Sequence, residues 1–218
     1  NCISRSIRGT SGLLRAVLAA WLVLTGSLWA AAPGGGGETA NLLLSQPGLH
    51  PGIAVHIGCG DGRLTAGLLS HGMQVVQGLE AESARVAATR EALKRGGVYG
   101  PVSVFASEMQ RLPYADDLVN AVVIDDPARV KAQGLSGGEC VRVLAPYGTL
   151  FVKRDGSAAL VQEIEAANLS MEPVDGSGGT WLMGRKPYPY DMDEWPHVEH
   201  DAGHTRVSRD QRVGPATG

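Results

Sequence analysis

Gly58, Gly60 and Gly62 stand at alternate positions in the stretch Val55-His56-Ile57-Gly58-Cys59-Gly60-Asp61-Gly62-Arg63. A short apolar run precedes them and a helical pattern follows, so they form a turn between a strand and a helix. Such a turn aims bare backbone N–H groups and a helix N-terminus at a ligand. Without Cβ atoms its backbone can adopt positive φ and come close to that ligand. Glu80 ends the next apolar run, 20 residues after Gly60. A carboxylate at that strand end can accept both hydroxyls of a ribose. Asp125 and Asp126 end a later run. They are candidates for taking a proton from a bound acceptor, or else for capping the next helix and facing solvent. His56 is either a ligand-side group or a satisfied core histidine. The spacing disfavours two common phosphate binders, so that a dinucleotide oxidoreductase is a weaker third reading. A dinucleotide fingerprint needs a small residue where Arg63 stands, and no Gly-Lys-Ser/Thr follows for a phosphate loop.

The elements that must hold these residues alternate. Strands are expected at Ala54–Ile57, Gln74–Leu79, Val102–Phe105, Ala121–Ile124 and Thr149–Lys153. They are continuous apolar runs rich in β-branched residues, as strands covered on both faces should be. Helices are expected at Arg63–His71, Ser83–Arg95, Lys131–Leu144 and Ala158–Ala167, with a short one at Thr39–Ser45. The alternation predicts an α/β fold with a doubly wound, mostly parallel sheet. Ser170–Val174 and Thr180–Gly184, separated by a glycine-rich loop, read as two further strands.

The totals narrow the function classes. Of 218 residues, 44% are hydrophobic and 19% charged, which is the composition of a globular protein. The net charge of −3 and the lack of a basic block argue against a nucleic-acid partner. Cys2 lies in a segment expected to be removed, and Cys59 and Cys140 read as free, buried thiols. Arg5, Arg8 and Arg15 precede the apolar run Ala16–Leu24 and a small-residue stretch ending near Ala32. Residues 1–32 are therefore expected to be an export signal, with a membrane anchor through residues 13–32 as the alternative. With such a signal the protein is expected in the periplasm or cell envelope, and without one in the cytoplasm. Residues 33–51 read as a flexible glycine linker plus the short helix, residues 52–186 as the core domain, and residues 187–218 as a linker. The chain starts at Asn1 and stops at a turn-like Gly214–Gly218, so it reads as a piece of a longer protein. His197, His200 and His204 have helical spacing, but Pro196 and Gly203 oppose a helix and no metal site is expected.

The ordered set of motifs resembles the class I S-adenosylmethionine-dependent methyltransferases of the type 11-like group. Val55–Gly62 looks like their first motif, and Gly78-Leu79-Glu80-Ala81-Glu82 like their second. Residues 107–126 are similar to the third and fourth, and residues 139–154 to their Arg-Val-Leu-Lys-Pro-Gly-Gly segment. The resemblance implies a Rossmann-like seven-stranded sheet closed by a C-terminal antiparallel hairpin, with S-adenosylmethionine as cofactor and a small-molecule acceptor. It implies that His56, Gly58, Cys59, Gly60, Asp61 and Gly62 shape the loop under the methionine moiety. Glu80 would bind the ribose, with Ala81 beside the adenine. Glu108 and Met109 would meet the adenine edge and face, and Asp125 would lie near the sulfonium.

Two departures stand out. His56 replaces an acid that helps hold the methionine ammonium, which predicts weaker cofactor binding. Tyr147 replaces a glycine in the Pro-Gly-Gly turn. Residues 193–215 also look like the entry into a quinoprotein-like β-propeller, which would follow in the same polypeptide. The expected function is methyl transfer. The alternative is a non-catalytic methyltransferase-fold binding module of an exported protein.

Overall fold

The computed structural model describes residues 36–69, 72–193, 203, 207, 208, 210 and 211. The expected export segment, most of the junction beyond Asp193, and His197, His200 and His204 lie outside the described residues. The elements run α1 (Gly36–Leu44), β1 (Ile53–Ile57), α2 (Arg63–Leu69), β2 (Val75–Glu80), α3 (Ser83–Arg95), β3 (Val102–Ala106) and β4 (Val119–Ile124). They continue with α4 (Pro127–Ala132), α5 (Gly137–Val143), β5 (Leu144–Lys153), α6 (Ala158–Ala166), β6 (Glu172–Pro173) and β7 (Trp181–Arg185). None of the described helices is long and apolar enough to cross a membrane.

The seven strands form one sheet in the order β3-β2-β1-β4-β5-β7-β6. β1 to β5 are parallel, and β7 runs antiparallel to both β5 and β6. This is the expected doubly wound sheet with a C-terminal antiparallel pair. Alternate residues of each central strand feed two cores. Ala54, Val76, Ala121 and Val123 pack with Leu43, Leu64, Leu68 and Leu93 of α1, α2 and α3. Val55, Ile57, Val122 and Ile124 pack with Val130, Val143, Leu160 and Ile164 of α4, α5 and α6. Burying each such side chain contributes about 1.5–3 kcal/mol, so both faces need their helices. The strand order reverses between β1 and its two neighbours, β2 and β4. Open sheets of this kind bind ligands in the crevice at that point, beyond the carboxyl ends of the strands.

Four elements differ from the sequence expectation. In place of the single helix expected over 131–144 there are two, α4 and α5, because Gly134 takes φ +99° and turns the chain between them. Ser136 Oγ then accepts the Glu139 N–H at 3.2 Å and starts α5. The early helix begins at Gly36, so Gly36 and Gly37 belong to α1 and not to a flexible linker. There α1 and α2 nearly touch, since a Cβ on Gly67 would lie 2.8 Å from Gly36 O. β5 starts at Leu144, ahead of the expected Thr149, and runs through a register shift beside Tyr147, which holds φ +62°. β6 is two residues long, and Pro173 supplies no N–H to extend it.

A Cβ on Gly137 would lie 2.4 Å from Ile164 N and 2.6 Å from Glu163 C, whereas one on Gly138 meets nothing within 4 Å. Gly137→Ala is expected to destabilise the protein by about 1–3 kcal/mol in urea denaturation. Gly138→Ala should leave it equal or up to about 1 kcal/mol more stable.

Candidate functional site

The turn after β1 is built as the glycine spacing requires. Gly58, Gly60 and Gly62 have φ of +74°, +51° and +80°. Gly58 N–H and Cys59 N–H both donate to Leu79 O, at 2.8 and 3.1 Å, which folds the turn over the end of β2. The glycines have different neighbours. A Cβ on Gly58 would strike Val130 Cγ1 at 2.6 Å, and one on Gly62 would strike Thr89 Cγ2 at 2.6 Å. At Gly60 the nearest atom would be Gly58 O at 3.9 Å, so that backbone alone is open. The Cys59 side chain turns inward, where a Cβ on Gly78 would lie 2.8 Å from its Sγ. Burial and then the Glu80 charge push its thiol up to about 12, so it stays protonated and unreactive. Asp61 Oδ1 accepts the Arg63 N–H at 3.0 Å and steadies the start of α2.

Glu80 ends β2 and is completely buried. Its Oε1 accepts from Ala81 N–H at 3.0 Å and from Arg129 Nη1 at 2.9 Å, and Oε2 lies 3.1 Å from the same Nη1. Arg129 Nη2 donates to Gly58 O at 2.7 Å, and its Nε donates to Asp126 Oδ2 at 3.2 Å. Asp126 is the N-cap of α4. Its Oδ1 accepts from Arg129 N–H at 3.1 Å, and Pro127 follows at the first helical position. Asp126 is thus engaged as a helix cap and an Arg129 partner, the structural alternative to a proton acceptor.

His56 lies on the α2 face of β1 and is 1% exposed. Its Nδ1 is 2.9 Å from Thr65 Oγ1, and its Nε2 is 3.1 Å from Asp125 Oδ1. An ionised carboxylate only accepts, so Nε2 carries the proton toward Asp125. Both ring nitrogens are therefore used inside the protein, as in a satisfied core histidine. The Asp125 side chain, 39% exposed, reaches the crevice. Burial alone would raise its carboxyl pKa. The hydrogen bond and charge of His56, its own backbone N–H and the charge of Lys153 outweigh that, and the value lies below the ordinary range.

Beyond the ends of β2 and β3 lies a cavity of about 390 Å³, lined by Ala81, Ala106, Ser107, Glu108, Met109, Gln110 and Gln133. It brings together Ala81, Glu108 and Met109, three of the positions singled out in the sequence. Gln133 Oε1 is buried and without a hydrogen-bond partner. The loop behind the cavity is held by Arg142, which donates to Leu112 O at 3.2 Å, Tyr114 O at 2.9 Å and Asp116 Oδ1 at 2.6 Å, and pairs with Glu139. Glu139 Oε1 in turn accepts the Leu112 N–H at 2.7 Å.

Sequence reasoning missed Arg129, Thr65 and Gln133. Arg129 carried a local signal. It stands three residues after the N-cap Asp126, and helical side chains lean toward the N-terminus, which here means toward the strand ends. Thr65 sits in α2 and Gln133 just past the end of α4, at positions whose neighbours are set only by packing.

Residues 54–148 match the methyltransferase-domain family. The fold is similar to that of the [4+2]-cyclase SpnF, with a TM-score of 0.56 and 16% identity over 82% of this chain and 96% of that one. It is also similar to a SAM-dependent methyltransferase from Aquifex aeolicus, with a TM-score of 0.51 and 17% identity over 68% of this chain and 87% of that one. YcgJ from Bacillus subtilis matches with a TM-score of 0.53 and 13% identity over 70% of this chain and 99% of that one. No curated protein matches the sequence. Residues 54–148 are thus similar to a methyltransferase domain, and the sheet has the fold of these solved structures.

Two outcomes check this geometry. Arg142→Met should cost about 3 kcal/mol in urea denaturation, because it strands the buried Glu139 carboxylate. Asp125, with its lowered pKa, stabilises the fold above the unfolded carboxyl value of about 3.9. That contribution is lost as pH falls through the folded value. In His56→Phe the burial penalty remains without its compensation, so the Asp125 carboxyl should titrate higher than in the wild type, as read by carboxyl ¹³C NMR.

Proposed function

We propose that this domain binds S-adenosylmethionine across the ends of β1, β2, β3 and β4 and transfers its methyl group to a small-molecule acceptor. The observation that carries the reading is the cavity beyond Glu80. Its size suits a purine, Ala81 and Met109 give it apolar walls, Glu108 stands at its rim, and Gln133 Oε1 offers an unpaired acceptor to an exocyclic amine. The open backbone at Gly60 fits the close approach of the methionine end. The residues thus suit the cofactor at the adenine end and under the loop.

When bound, the cofactor supplies an electrophilic methyl group on a sulfonium. The work left to the chain is alignment. The glycine turn fixes the floor of the site, and the cavity wall fixes the purine. Asp125, held ionised by His56, which is itself anchored by Thr65, opens on the crevice with a part-exposed side chain. There it would orient an amine or hydroxyl acceptor and take its proton if that proton leaves early. His56 acts through Asp125 and not on the methionine ammonium.

A second reading, a ligand-binding module without catalysis, is favoured by the Arg129 contact on Glu80, since that carboxylate is the expected ribose acceptor. The fold also serves other chemistry, as the likeness to a [4+2]-cyclase illustrates.

Calorimetric titration of the full chain with S-adenosylmethionine, S-adenosylhomocysteine and NAD separates the readings. Saturable binding of the first two and none of NAD is expected. Gln133→Leu should weaken that binding about 3- to 10-fold through the lost hydrogen bond. Absence of any binding would remove the cofactor assignment. Binding without methyl transfer to any amine, hydroxyl or thiol acceptor in a radiolabelled-methyl screen would favour the module.

A further inference from the structure

Glu80 is the one carboxylate at the end of β2, and a ribose diol needs both of its oxygens. Those oxygens are taken. Oε1 receives Ala81 N–H and Arg129 Nη1, and Oε2 lies 3.1 Å from Nη1. The carboxylate is completely buried, so no free face remains for a second set of partners. The guanidinium also lies over the glycine turn. Nη2 donates to Gly58 O, and a Cβ added to Gly58 would stand 3.0 Å from it. Arg129 therefore fills the junction between the cavity and the turn, the place that a molecule spanning both would have to cross.

The other contacts of Arg129 suit a residue that can leave. Its side chain is 21% exposed, and Asp126, which holds its Nε at 3.2 Å, is 50% exposed. Arg129 and Asp126 are three residues apart on the same helical turn. The guanidinium can rotate away from Glu80 about its own side-chain bonds and keep the Asp126 carboxylate as partner. Glu80 cannot be left bare, because an unpaired buried charge is strongly disfavoured. Exchange of the guanidinium for two ribose hydroxyls keeps it hydrogen-bonded.

We infer that Arg129 is a displaceable internal occupant of the ribose site. It competes with the cofactor for Glu80 and is retained on Asp126 when the cofactor enters. This rests on the cofactor reading given above and adds a residue that sets affinity and specificity. The closed arrangement lowers apparent affinity by the fraction of molecules in which Glu80 is free. It also demands a ligand with a vicinal diol, the group able to replace a guanidinium on both oxygens.

The test is the affinity of the full chain for S-adenosylhomocysteine, with the melting temperature of each unliganded variant measured alongside. Arg129→Gln should bind about tenfold more tightly than the wild type, while its unliganded form melts lower because Glu80 has lost its cation. Arg129→Lys should fall between the two. The 2′,3′-dideoxy analogue of the ligand should gain nothing from either substitution. Equal or weaker binding by a folded Arg129→Gln, with the wild type binding, overturns the competition and leaves the cofactor reading intact. Failure of both proteins to bind overturns both. If Arg129→Gln does not fold, a crystal structure of the wild type with S-adenosylhomocysteine decides. Ribose hydroxyls on Glu80 with Arg129 moved onto Asp126 support the inference, and a guanidinium still on Glu80 beside bound ligand overturns it.

Discussion

The completely buried carboxylate of Glu80 constrains everything around it. A charge removed from water must be matched by hydrogen bonds and an opposite charge, and here the matching groups and their own partner tie three elements together. Ala81 N–H is local, Arg129 comes from the first turn of α4, and Arg129 in turn reaches Gly58 O at the end of β1. One ion pair thereby joins the strand end, the glycine turn and the helix after β4. These are also the three elements that meet where the strand order reverses. The same polarity that would recognise a ligand holds the crevice together without one.

A second polar chain runs beside it. Thr65, His56 and Asp125 link α2, β1 and the end of β4 through hydrogen bonds of 2.9 and 3.1 Å. Two of the three residues are buried, and the third opens on the crevice. A histidine suits this place better than an acid would, because an acid at position 56 would set a second carboxylate against Asp125. The departure from the methyltransferase pattern at His56 is thus matched by its neighbours, and its consequence falls on Asp125.

The loop that walls the cavity depends on a more distant anchor. Arg142 of α5 collects the carbonyls of Leu112 and Tyr114 and the carboxylate of Asp116, and Glu139 fixes both Arg142 and the Leu112 N–H. The loop that follows Glu108 and Met109 is therefore anchored on α5. A single helix over residues 131–144 would carry Arg142 elsewhere. Gly134 and the close approach of Gly137 to α6 are what allow the wall to form.

The sequence by itself determined the strands, their parallel arrangement, the glycine turn and the acid at the end of β2. These rest on patterns within a few residues: continuous apolar runs, alternating glycines and a fixed strand–loop–helix spacing. It left the helix break open, because an isolated glycine such as Gly134 inside a helical pattern does not by itself end a helix. The length of β6 was equally hidden, since pairing depends on the partner strand and on the missing N–H of Pro173. Only the tertiary structure decided what the site residues touch. Arg129 meets Glu80 across 49 positions of sequence and His56 meets Asp125 across 69. No local periodicity encodes such contacts, because they arise when the sheet brings the ends of β1, β2 and β4 side by side and the buried charges there must find partners.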